Sequence, residues 1–344
     1  MRRFPPIRRV AALTAIAILA VGCSSKAKSS AASSSAPSST APSTAPSAAA
    51  SPVPIGSAAT ESASVSGAFG AAPTITLVGS KPPTTTQVSI ISRGTGSVLK
   101  AGDLAVVDDY GRTWRSATAF QNTFPSTAPP DSLPVGTGQL GLAGLDRALV
   151  GVPTGSRVLV VLPPSAGFGS VTNLPTGVQK TDTALLVFDV RAGFAGNAGP
   201  SGTTVTSGGG ALPTVSGALN AKPVLAIPKT APSATLSVTT LLRGSGPATA
   251  KGDQLVVQYL GQIWATGKEF DSSWSHATPA SFQVGTGQLI PGWDKALVGV
   301  PVGSRVLIVI PPAEGYGSAG QPSAGISGTD TLVFVVDVLA AYTS

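Results

Sequence analysis

A unit of about 120 residues is written twice along this chain of 344 residues. Arg93-Gly94-Thr95-Gly96 returns as Arg243-Gly244-Ser245-Gly246, and Gly102-Asp103 returns as Gly252-Asp253. Val135-Gly136-Thr137-Gly138-Gln139-Leu140 recurs unchanged from Val284 to Leu289. Ala148 to Pro153 recurs from Ala296 to Pro301, and Leu186-Val187-Phe188 returns as Leu332-Val333-Phe334. The spacing shortens steadily along the chain, so the first copy carries a few extra loop residues. A period this long is a duplicated domain rather than a solenoid. It places copies at 73–193 and 223–344, joined by a Gly/Ser/Ala-rich linker, 194–222, that contains Gly208-Gly209-Gly210.

Each copy reads as mostly β. In the second, Thr235–Leu242, Gln254–Trp264, Ser281–Val284, Arg305–Ile310 and Thr331–Leu339 are rich in β-branched residues. Pro311-Pro312 stops the fourth run. One short helix fits, from Pro291 to about Val298: Pro near its start, Asp294 in its first turn, Trp293 and Leu297 on one face, Gly299 at its end. The fold class is therefore α+β, a sheet with one short helix on one face in each copy.

The N-terminus reads differently. Arg2, Arg3, Arg8 and Arg9 precede an apolar run, Val10 to Val21, broken only by Thr14. That is too short to span a bilayer, which needs ~20 residues, and suits an export signal over 1–22. Leu19-Ala20-Val21-Gly22-Cys23 resembles the lipobox of bacterial lipoproteins, which implies a lipid anchor on Cys23; the alternative is an ordinary export signal with an incidental thiol. Residues 23–72 are a Ser/Ala/Pro/Thr-rich tract with few large apolar side chains, read as a disordered tether. The reading is thus an extracytoplasmic protein held at the cell membrane.

The formal charge of +7 is mostly a property of this leader. Arg2, Arg3, Arg8, Arg9, Lys26 and Lys28 precede the first acidic residue, Glu61, and beyond them 16 basic residues face 15 acidic ones. No domain-wide basic field remains to hold nucleic acid. One Cys and one His in the whole chain exclude a disulfide framework, a Cys-based zinc site and a two-His metal site. No metal or cofactor is expected. Gly136-x-Gly138-x-x-Gly141 has the spacing of a dinucleotide fingerprint, but the second copy has Ile290 at the third glycine and no acidic residue follows in a βαβ unit. His276 stands alone in a polar loop and reads as a solvated surface residue.

The second copy strings together Val256-Val257-Gln258-Tyr259-Leu260-Gly261, Gly267-Lys268-Glu269-Phe270-Asp271-Ser272-Ser273, Phe282-Gln283-Val284-Gly285, Gln288 to Asp294, Tyr316-Gly317 and Thr331 to Phe334. In order and spacing this resembles the FKBP-type peptidyl-prolyl cis-trans isomerases over nearly the whole of 235–340. The resemblance implies a twisted antiparallel sheet wrapped around a short helix. It assigns Tyr259, Asp271, Trp293 and Tyr316 to catalysis, and Phe270, Phe282, Leu289, Ile290, Ile326 and Phe334 to substrate binding. Trp293 would floor a proline pocket, the Ile290 N–H and the Tyr316 hydroxyl would donate to substrate carbonyls, and Asp271 would lie near the rotating amide. Ala280 departs from the pattern, standing where an aromatic wall residue is usual.

Aligned on the second copy, the first has Asp109 for Tyr259, Gln121 for Asp271, Leu145 for Trp293 and Phe168 for Tyr316, while Phe120 and Phe188 persist. A carboxylate on the pocket wall and a missing indole predict a fold retained without isomerase activity. The expected partners are Pro-containing segments of exported proteins, with macrolides such as rapamycin as inhibitors. The competing expectation is a non-catalytic module that grips such segments.

Overall fold

The structure, a computed structural model, describes residues 55–56, 62–124, 129–206 and 208–343. The leader, Cys23 and most of the Ser/Ala/Pro/Thr tract lie outside the described residues. The first copy contains β1 (Ile55–Gly56), β2 (Ala63–Ser66), β3 (Thr74–Leu77), β4 (Gln87–Ser92), β5 (Leu104–Thr113), β6 (Ala119–Asn122), β7 (Asp131–Pro134), α1 (Ala143–Ala148), β8 (Arg157–Leu162) and β9 (Ala184–Phe194). The second contains β10 (Thr203–Thr204), β11 (Thr214–Ser216), β12 (Val224–Ala226), β13 (Ser237–Arg243), β14 (Gln254–Ile263), β15 (Glu269–Ser272), β16 (Ala280–Gln283), α2 (Pro291–Ala296), β17 (Arg305–Ile310) and β18 (Leu332–Tyr342).

The sheets have the same order. The first runs β1-β4-β8-β9-β5-β6 with β7 also on β5, and the second runs β10-β13-β17-β18-β14-β15 with β16 also on β14. All pairs are antiparallel except β1 with β4. The register shifts recur at equivalent places, between Val106 and Val107 and between Val256 and Val257. Such bulges bend a strand, here so that the sheet curls over its helix. The expected α+β architecture, two sheets each with one short helix, is present. The expected strand at Thr331–Leu339 runs on to Tyr342, and the helix stops at Ala296 rather than Val298.

Both faces of each sheet are covered, so the central strands are apolar at every position rather than at alternate ones. Along β17, Val306, Ile308 and Ile310 join the core under α2, while Leu307 and Val309 face a second cluster on the opposite side. Val215 of β11 and Leu225 of β12 cap that second cluster. In the first copy β2 and β3 form the same hairpin, and Ala63, Val65, Ile75 and Leu77 cover Leu159 and Val161. Burying one Val or Leu is worth about 1.5–3 kcal/mol, enough to fix a short hairpin on a sheet.

These hairpins correct the sequence-based boundaries. The tract read as a tether to 72 holds β1 and β2, and the segment read as a linker to 222 holds β10 and β11. Starts at 73 and 223 would cut each hairpin in two. Val65-Ser66-Gly67-Ala68 and Val215-Ser216-Gly217-Ala218 belong to the duplicated unit, which therefore begins ahead of either boundary.

An ion pair is buried on the hairpin side of each sheet. Arg157 and Asp189 lie opposite each other on β8 and β9, with Nε–Oδ1 at 2.6 Å and Nη2–Oδ2 at 2.7 Å. The same guanidinium donates to the Gly67 carbonyl at 2.7 Å and the Ala71 carbonyl at 2.6 Å, tying the hairpin turn to the sheet. Arg305 and Asp337 repeat the fork at 2.6 and 2.8 Å. Burial pushes the Asp337 carboxyl up, and Arg305 opposes that.

The two copies meet through equivalent residues. Leu104, Val106 and Val256 form a buried cluster with Ala192, Phe194, Leu339, Ala340 and Tyr342 packed against it. Ser132 Oγ lies 3.0 Å from Ser281 Oγ, its counterpart. Arg191 sits over the Tyr342 ring at 5.5 Å and pairs with Asp108 at 3.3 Å.

Arg305→Met should destabilise the protein by about 3–5 kcal/mol, because it strands the Asp337 carboxylate in an apolar layer. The double variant Arg305→Met/Asp337→Leu should recover most of that loss. Denaturant unfolding followed by tryptophan fluorescence measures both, and equal losses in the two variants would refute the account.

Candidate functional site

Trp293 enters the concave face of the second sheet from α2. Gly292 makes the approach possible: a Cβ there would lie 2.6 Å from Ile310 Cγ2 on β17. The loop before the helix, the repeated Val-Gly-Thr-Gly-Gln-Leu, is held by the helix itself. Asp294 accepts from the Gly285 N–H at 2.8 Å and the Gly287 N–H at 2.6 Å, with both glycines at positive φ. That clamp fixes Leu289 and Ile290 at the helix entrance.

The indole is wholly buried, with three rings edge-on against it: Tyr259 at 5.5 Å, Phe282 at 5.1 Å and Phe334 at 5.1 Å between centroids. Phe270 packs edge-on to Phe334 at 5.4 Å. Edge-to-face pairs of this kind are worth about 0.5–1.5 kcal/mol each beyond area burial. Gly261 lets the wall close, since a Cβ there would meet Phe270 at 2.7 Å and Phe334 at 2.8 Å. Phe270, Phe282, Leu289 and Tyr316 are only half-buried and edge the cluster, whereas Ile290, Ile326 and Phe334 belong to its core. Ala280 is half-buried beside them. Among the described residues, nothing accepts a hydrogen bond from the Trp293 indole N–H.

Asp271 supplies the charge. It lies on β15 opposite Gly261, with the Tyr259 hydroxyl donating to Oδ2 and His276 Nε2 at 3.0 Å from Oδ1. Burial, and then the Asp271 charge, pushes the Tyr259 phenol far up. The same causes push the Tyr316 phenol up to about 12. Both hydroxyls therefore keep their protons, and that of Tyr259 donates to Asp271. The structure thus gathers all ten predicted pocket residues of the second copy into one cluster. It also overturns the reading of His276 as a solvated residue. The ring reaches back across the 3₁₀ turn Ser273–His276 to bond Asp271 and is the site residue that sequence reasoning missed. A titratable ring five positions beyond an assigned carboxylate, across a short polar turn, was the available signal.

The first copy keeps the scaffold, and the strand registers correct one alignment: Leu186 lies opposite Gly111 as Phe334 lies opposite Gly261, so Leu186, not Phe188, stands in the place of Phe334. Leu145 and Phe168 are buried, and Phe120 packs edge-on to Phe168 at 5.5 Å. Asp109 stands where Tyr259 does, and Gln121 bridges it at 3.3 Å to Asp131 at 2.7 Å. Burial, reinforced by the Asp131 charge, pushes the Asp109 carboxyl up to about 8 against hydrogen bonds from Gln121 and Thr123.

These domains have relatives among known proteins. The family model for FKBP-type peptidyl-prolyl cis-trans isomerases matches residues 96–192 and 246–339, more than half of the chain. An FK506-binding protein of Streptomyces anulatus is 40% identical over 119 residues, covering 35% of this chain and 96% of the relative. Peptidyl-prolyl cis-trans isomerase FKBP15-1 of Arabidopsis thaliana is 43% identical over 90 residues, covering 26% of this chain and 58% of the relative. Among solved structures, FkpA from Escherichia coli is 39% identical with a TM-score of 0.29, covering 31% of this chain and 48% of that one.

A buried acid raised in the folded state favours folding only while it is protonated. Its contribution is complete below the ordinary carboxylate value of 3.8 and is lost as pH rises through about 8. Asp109→Asn should therefore flatten this part of the stability profile and gain about 2 kcal/mol over the parent at pH 9. Thermal melts from pH 4 to 9 check this, and parallel profiles would refute it.

Proposed function

The chain belongs to the FKBP-type peptidyl-prolyl cis-trans isomerase family, and from that premise we propose that it isomerises X-Pro bonds of exported proteins through its C-terminal domain alone. The observation that carries this reading is the indole of Trp293 with three aromatic edges against it and half-buried rings at its margin, a cluster that the first copy lacks.

The chemistry needs no acid, base or covalent step. Rotation about the amide faces a barrier of ~18–20 kcal/mol because resonance must be broken. A planar amide is dipolar and well hydrated, while a twisted one is less polar. A water-poor aromatic surface therefore favours the twisted state over the planar one, and only such differential binding accelerates the step. Lowering the barrier by ~5.5 kcal/mol gives about 10⁴-fold acceleration. One hydrogen bond supplies ~1 kcal/mol of that, so apolar shape carries most of it. The polar groups orient the substrate. Tyr316 keeps its proton and donates to a substrate carbonyl, as the Ile290 N–H does. Asp271, held on both sides by Tyr259 and His276, would lie near the carbonyl of the rotating amide.

The first copy, with Asp109 for Tyr259, Gln121 for Asp271 and Leu145 for Trp293, is read as non-catalytic. A macrolide such as FK506, named in the Streptomyces relative, or rapamycin would compete for the C-terminal pocket. Cys23 is read as the lipidated residue that holds the protein outside the cytoplasm at the cell membrane.

In a peptide isomerisation assay on the whole protein, Trp293→Leu should lower kcat/KM at least ~100-fold, a loss of ~2.7 kcal/mol of transition-state stabilisation. Gln121→Ala should leave it unchanged. A rate that survives Trp293→Leu would place the activity elsewhere. Separately, Cys23→Ala should release the protein from the membrane fraction or leave its leader uncleaved. Unaltered membrane retention, with normal cleavage, would overturn the anchor.

A further inference from the structure

A chain of hydrogen bonds, buried at its centre, runs from the connector after β9 to the site. The Gly196 carbonyl accepts from Gln258 Nε2 at 2.8 Å. Gln258 is fully buried, and its Oε1 accepts from the Ser273 hydroxyl. Ser273 Oγ in turn accepts from the Tyr259 backbone N–H at 2.9 Å. Tyr259 is the residue whose hydroxyl holds Asp271. Every donor and acceptor in this path has its partner, the condition under which a buried polar network holds one geometry.

A second contact runs beside the first. His276 is followed by Ala277 at φ 57°, the non-glycine residue with positive φ among those described. That conformation costs an alanine roughly 1–2 kcal/mol, so surrounding contacts must impose it. The turn's own cap bond, from the Ala277 N–H to the Trp274 carbonyl at 3.2 Å, holds it from within, and the N-terminal domain and its connector pack against it from outside. A Cβ on Gly196 would lie 2.7 Å from the Ala277 carbonyl oxygen, and one on Gly102 would lie 3.3 Å from it. Gln139 Nε2 reaches the His276 carbonyl at 3.5 Å. The turn that carries His276 thus rests on backbone from the first domain.

We propose that the N-terminal domain and the Gly196 connector act as a positioning element for the C-terminal site, setting Asp271 through His276 on one side and Tyr259 on the other. This assigns the non-catalytic copy a task, and it rests on the isomerase reading above. Gly196 is a positioning residue: it touches no substrate, and its bare Cα is what allows the turn to close over it.

The experiment is Gly196→Ala in the full chain. The substitution leaves φ permissible and pushes a methyl into the Ala277 carbonyl. We expect kcat to fall about fivefold, the worth of one ordinary hydrogen bond, with KM within about twofold. The chain has one histidine, so ¹³C-histidine labelling reports His276 without ambiguity, and its ring resonances should move. Combined with His276→Ala, the Gly196 substitution should add little further loss, because both act on one contact. Gln139→Ala, a milder change on an exposed side chain, should shift the same resonances in the same direction. Ser132→Ala, which removes a different interdomain contact, should leave both readouts at the parent values. Unmoved resonances with parent kcat in Gly196→Ala, or losses that multiply with His276→Ala, would overturn the proposal. If the parent protein proved inactive while the resonances still moved, the positioning role would stand and the isomerase reading would fall.

Discussion

Strands β8 and β17 lie between two apolar layers, and along neither does any residue reach water. That constraint governs much of what surrounds them. An arginine at the head of such a strand must meet a carboxylate within the same layer, and Arg157 and Arg305 do so in both copies. The outer layer cannot be solvent, so a hairpin must lie over it. The inner layer must be filled by a helix close enough to touch the strand, and that closeness is what Gly144 and Gly292 permit. An indole, Trp293, fills this inner layer in one copy and a leucine, Leu145, fills it in the other.

The two copies show how little of a fold its chemistry requires. Bulge positions, the carboxylate that clamps the glycine loop and the buried ion pair recur in both. Asp146 holds the Thr137 and Gly138 amides much as Asp294 holds those of Gly285 and Gly287. Against that shared frame, exchanging Tyr259 and Asp271 for Asp109 and Gln121 reverses the electrostatics. In one copy a phenol donates to a carboxylate at the rim of an aromatic cluster. In the other a buried acid is held by an amide beside a second acid.

Where burial follows from alternation or from a continuous apolar run, it was legible along the chain. Arg305–Ile310 is a strand to the residue, and Pro291, Asp294 and Trp293 sit in the helix as their types demanded. The hairpins were not legible, because Ala63, Val65, Ile75 and Leu77 are small or isolated among Ser, Thr and Gly. Their apolar faces count only once a sheet lies beneath them. The His276 contact was hidden for another reason. It depends on a 3₁₀ turn closed by an alanine in a glycine-like conformation, which residue type argues against. Gln258 read as an ordinary strand residue, and its burial follows from a domain contact that a single copy does not contain.

The meeting of Ser132 with Ser281, and of Val106 with Val256, is what a local dyad requires: each patch touches its own counterpart. In a pair of identical chains every substitution at such a seam appears twice and must suit itself. Here the halves share one polypeptide, so the two sides have drifted apart. Phe194 answers to Tyr342, and Arg191, whose counterpart is Leu339, lies over that tyrosine ring. Fusion has released the joint from self-complementarity.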